Sequence, residues 1–111
     1  MENLAVLWTT ADRETVMHTV LPYTKEARQN GGFGAVKLVV WGPSARVLAE
    51  YDDLAMRVRE LMDDGVEVVA SRSCADSYGA AAALEDLGIE VVDAGGPLTG
   101  MIKDGWKVLA L

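Results

Sequence analysis

The residues with the most chemical potential stand close together. Ser71, Arg72, Ser73, Cys74, Asp76 and Tyr78 follow the apolar run Val66–Ala70 and precede the alanine-rich stretch Ala80–Ala83. Cys74 is the only cysteine in the chain. A polar loop leading from a buried strand into a helix has backbone N–H groups and the positive helix end aimed at its occupant. A thiol held there has its thiolate, the reactive form, stabilised. Arg72 would add to that effect and Asp76 would oppose it. The competing reading is that a lone cysteine packs as a small hydrophobe.

The neighbouring residues narrow the chemistry. One cysteine forms neither an internal disulfide nor a dithiol redox pair, and no Cys/His cluster spaced for zinc is present. No arginine follows between Cys74 and Ala81 to close an oxyanion cradle of the phosphatase or rhodanese kind. The sole histidine, His18, falls on the solvated side of the first helix, and it would serve as an activating base only if Pro22 bent that helix towards the loop. With one thiol and no visible base, hydrolysis is hard to build. Carrying a soft atom as a persulfide requires only the thiol and a partner. No cofactor or metal is called for.

The elements that must position Cys74 can be read in order. Leu4–Trp8 is an apolar run without alternation, as expected of a strand covered on both faces. Thr9 to Asp12 offer capping oxygens for a helix from about Arg13 to Gln29, with a kink near His18–Pro22, because proline lacks the donor and crowds the preceding turn. Asn30-Gly31-Gly32 stops it. Ala35–Trp41 is the second strand, and Gly42-Pro43-Ser44 turns into a short helix ending near Glu50. Asp52-Asp53 cap the next helix, which Gly65 ends. Val66–Ala70 is the third strand, followed by a helix from about Asp76 to Asp86 stopped by Gly88. Ile89–Val92, a short helix after Asp93–Pro97, and Trp106–Ala110 complete the chain.

Strands alternating with helices over short loops predict a single domain, residues 1–111, of the α/β class: a five-stranded parallel sheet of the flavodoxin-like kind, with helices on both faces. Its strand carboxyl ends bring Trp8-Thr9-Thr10, Trp41-Gly42-Pro43-Ser44, Ser71–Asp76 and Asp93–Pro97 to one edge, where ligands bind in open α/β sheets. The candidate crevice residues are Trp8, Thr9, Thr10, Trp41, Gly42, Pro43, Ser71, Arg72, Ser73, Tyr78, Gly95 and Gly96. Thr9–Arg13 has no glycine, which argues against flavin or dinucleotide binding at that loop. The glycines at Gly31, Gly32 and Gly34 fall on the opposite edge and read as a turn.

Composition sets the surroundings. The formal charge is −7, from 17 acidic against 10 basic residues, which disfavours nucleic acid and anionic membranes as partners. The apolar runs are too short to span a bilayer. Glu2 and the lack of a basic leader argue against a signal peptide, and the unpaired cysteine fits a reducing cytoplasm.

In its ordered set of segments the chain resembles the DsrE/DsrF-like family of small sulfur-metabolism proteins. The resemblance rests on Val39-Val40-Trp41-Gly42-Pro43-Ser44 with Val47-Leu48, on Gly65–Ala70, and on Cys74-Ala75-Asp76-Ser77-Tyr78-Gly79. It continues through Leu87–Val92, Gly95, Pro97-Leu98-Thr99 and Gly105–Leu109. It implies a three-layer α/β/α sandwich, assembly into homotrimers or hexamers, and persulfide relay between sulfur donor and acceptor proteins, with Cys74 as carrier. Many relatives place the active cysteine where this chain has Ser71, and Cys74 stands three residues further on. Other relatives lack a functional cysteine, which keeps a second reading in view: a non-catalytic oligomeric module binding a small ligand or partner protein in the crevice.

Overall fold

Leu4, Val6 and Trp8 point to one side of the first strand, and Ala5 and Leu7 to the other. This alternation sorts the sheet between two unequal cores. The computed structural model describes all 111 residues, Met1–Leu111. Its strands are β1 (Leu4–Trp8), β2 (Val36–Val40), β3 (Glu67–Ser71), β4 (Glu90–Val92) and β5 (Lys107–Ala110). All pair in parallel, in the order β4-β3-β2-β1-β5. The register sets Val6 beside Leu38 and Leu38 beside Val68, so apolar residues line up across the sheet. The layers are those of an α/β/α sandwich. The strand order differs from the flavodoxin order, 2-1-3-4-5.

That order explains the two cores. Strands β1 to β4 are added in one direction, and right-handed crossovers then keep every connecting helix on one face. The step from β4 back to β5, beyond β1, runs the other way and puts its helix on the opposite face. The larger core accordingly joins Leu4, Val6, Trp8, Leu38, Val40, Val68 and Ala70 with Val16, Val20, Leu48, Leu54, Val58 and Leu84 from the helices. The smaller core has Ala5, Val39 and Val69 beneath Ala94 and Met101. Leu38, Leu48, Leu54 and Leu84 are fully buried, each worth about 1.5–3 kcal/mol relative to exposure.

The first crossover is α1 (Arg13–Thr15), a π-helical turn (Val16–Val20) and α2 (Leu21–Asn30), without a break in the chain. Where the sequence predicts a kink near His18–Pro22, the helical ladder shifts to a π-helical turn. Leu21 donates its N–H to the Val16 carbonyl, five residues back, just before Pro22, which has no N–H to donate. The second crossover is α3 (Ser44–Glu50) and α4 (Asp52–Asp63). The capping expected of Asp52 and Asp53 is met only in part. Tyr51 holds the N-cap position without a side-chain bond, while the Asp53 carboxylate accepts the Leu54 N–H at 3.0 Å in the first turn of α4 and also grips Arg13, at 2.5 and 3.1 Å. Arg13 also lies over the Tyr51 ring, 4.3 Å from its centre, so the pair ties α1 to α4.

The third crossover corrects the sequence reading where it matters most. The expected loop from Ser71 and helix from about Asp76 to Asp86 are two short helices, α5 (Arg72–Ser77) and α6 (Ala81–Asp86). Ser71 ends the strand and caps α5 with its hydroxyl. Gly79, at φ +64, provides the left-handed turn that stops α5, a conformation costly for other residues. Cys74 therefore sits in the first turn of a helix rather than in a loop before one. The last crossover, α7 (Gly95–Lys103), lies alone on the second face.

Two exposed carboxylates, Asp12 before α1 and Asp53 on α4, add a modest acid dependence to stability. Asp12 caps α1, and its bond from the Thr15 hydroxyl holds it below the usual aspartate range. The hydrogen bond from Arg13 does the same for Asp53. A depressed carboxyl contributes fully above its unfolded value and loses that contribution as pH falls through the folded value. Both carboxylates are exposed and screened by water, so melting temperature should hold through the neutral range and these two groups should add only a small decline below about pH 4. Asp12→Asn, which keeps a capping oxygen without the titration, should flatten part of that slope in melts from pH 7 to 2.5.

Candidate functional site

At the carboxyl end of β2 the chain must turn sharply between two strand neighbours, and Ser44 anchors the turn. Its buried hydroxyl accepts the Trp41 N–H at 3.0 Å and lies 2.6 Å from the Trp8 carbonyl and 3.0 Å from that of Trp41. The turn passes through Gly42 at φ +71, in the left-handed region that glycine accepts without strain. The Gly42 N–H meets the first turn of α5, where it donates to Cys74 Sγ at 3.2 Å.

Cys74 is half-buried, with its inner side packed against the larger core. Its own N–H points back to the Ser71 hydroxyl at 3.5 Å, and that oxygen lies 3.3 Å from the Ser73 hydroxyl. The thiol is thus bracketed by the capped start of α5 and by the Gly42 amide. A donor on sulfur complements negative charge there. His18, exposed on the π turn, makes no bond to the thiol, and no other base does.

The other sequence-selected residues separate into groups. Trp41 is half-buried and packs beside α7, where a Cβ on Gly95 would stand 3.9 Å from its ring. Gly96, Pro43 and Tyr78 lie exposed around the same edge. Arg72 points away from the sulfur: it donates to the Val91 carbonyl at 3.1 Å and lies 3.7 Å from Asp76 and 3.8 Å from Glu85. The expected approach of Arg72 to the thiol is thus replaced by bonds to β4 and α6. Thr9 and Thr10 turn to the far side of β1, where both N–H groups and the Thr9 hydroxyl meet the Leu111 carbonyl. Trp8 has no exposed surface; its ring belongs to the larger core and its indole N–H bonds Thr10. It packs inside the core instead of walling a crevice.

Sequence reasoning placed Ser44 in the right loop and missed its role. The signal is a small hydroxyl residue two positions after Gly42, the turn glycine that follows the strand. Ser44→Ala removes a buried hydroxyl, while the Trp41 N–H keeps its second acceptor, the Trp8 carbonyl at 3.1 Å, so the loss is that of an ordinary hydrogen bond, about 0.5–1.5 kcal/mol. Chemical denaturation should register that loss.

One open groove, of about 730 Å³, lies elsewhere, between α2 and α4, lined by Lys25, Glu26, Arg57 and Glu60 among others. Much of its lining comes from the later halves of helices that run antiparallel to the strands, so it faces away from the Cys74 edge.

No family model and no curated protein matches the chain. Solved structures do. The conserved protein of unknown function BT1422 from Bacteroides thetaiotaomicron superposes with a TM-score of 0.93 at 28% identity, over 99% of this chain and 95% of that one. The protein of unknown function MTH1491 from Methanobacterium thermoautotrophicum superposes with a TM-score of 0.82 at 18% identity, over the whole of both chains. The chain therefore has the fold of a group of small α/β proteins to which its neighbours' descriptions attach no function. No helix is long and apolar enough to cross a membrane.

Proposed function

We propose that this protein is a sulfur carrier that holds a persulfide on Cys74 and passes it to a partner thiol. The observation that carries this reading is the half-buried Cys74 sulfur receiving the Gly42 N–H at the strand carboxyl edge. The resemblance to DsrE/DsrF-like proteins supports it. In the forward step the Cys74 sulfur attacks the terminal sulfur of a donor persulfide. A new S–S bond forms, the donor's S–S bond breaks, and the donor leaves as a thiol that takes up the proton. An acceptor thiol then repeats the exchange on the Cys74 persulfide. No electrons enter or leave overall, and the Gly42 N–H is placed to meet charge on sulfur in each step. The direct test loads the protein with labelled sulfane sulfur from a small persulfide and adds an acceptor thiol. The label should move to the acceptor; label that never leaves the donor would refute the reading.

The same reading places the protein in the cytoplasm, where a lone thiol stays reduced, and has it acting between sulfur donor and acceptor proteins. It also has the chain assembling into homotrimers or hexamers. The exposed Ile102 on α7, the single helix of the thinner face, and Val108 on the edge strand β5 fit an interface. Sedimentation should then give a multiple of 11.9 kDa, and a monomer at micromolar concentration would count against assembly.

The packing of Cys74 against the larger core favours a second reading, a module that binds a ligand or partner at this edge without covalent chemistry. Binding that survives Cys74→Ser would select it.

A further inference from the structure

We draw no further inference here: the strongest candidate, the exposed apolar strip of Ile102 and Val108 where α7 meets the free edge strand β5, carries nothing beyond the assembly already proposed, because nothing in the structure shows what covers it.

Discussion

Cys74→Ser is expected to abolish the uptake of sulfane sulfur while leaving the fold in place. Serine matches the thiol closely in size and keeps an acceptor for the Gly42 N–H, so the bracket around position 74 persists. The side chain is half-buried, so the exchange touches the core only at its margin. Melting temperature should shift by no more than a few degrees, and the helical signal in circular dichroism should be unchanged. Uptake should fall to background, because no second cysteine exists to take over. Uptake that persists in a folded Cys74→Ser protein would place the chemistry elsewhere.

Trp8→Ala should have the largest effect on stability. The Trp8 ring is wholly enclosed in the larger core, and removing a buried tryptophan costs about 3–5 kcal/mol. Domains of this size have a total stability of about 5–15 kcal/mol, so the variant stands close to unfolding. Each kcal/mol lowers Tm by roughly 4–8 °C for a domain near this length. Trp8→Phe, which refills most of the space, should lose less and retain the reactivity of Cys74. A Trp8→Ala protein with near-wild-type stability and altered ligand binding would show that Trp8 lines a site after all.

The contrast between these two positions shows what the sequence makes legible. Strands announce themselves as short apolar runs, and their alternation with helices leads to a parallel sheet; both follow from local pattern. Trp8 is harder. It shares its face with Leu4 and Val6, yet the sequence does not state which face carries three crossovers and which carries one. That depends on strand order, which arises from contacts between distant segments. Arg72 was misjudged for a similar reason. Of its partners, Asp76 is one helical turn away on α5, but Val91 and Glu85 lie in later elements, and charge alone points to the nearby thiol.

The start of α5 is a different case. Ser71-Arg72-Ser73-Cys74 has no apolar periodicity and reads as loop. A serine three residues before the cysteine is nevertheless a helix-capping pattern, and Gly79 is a stop signal. Both cues were local, and polar composition outweighed them. The bond from Gly42 to Cys74 spans 32 positions, and no local pattern encodes it. The sequence put both residues on one edge; the Ser44 anchor and the left-handed turn at Gly42 bring them into contact.

The central claim is that Cys74 takes up sulfur in the folded protein, and the intact mass of the native chain after exposure to a small persulfide donor tests it most directly. The carrier reading predicts a gain of one sulfur atom per chain, located on Cys74 by peptide mapping and removed by excess thiol. A native protein whose mass does not change, with Cys74 modified only after denaturant is added, would contradict it and make the cysteine a packing residue.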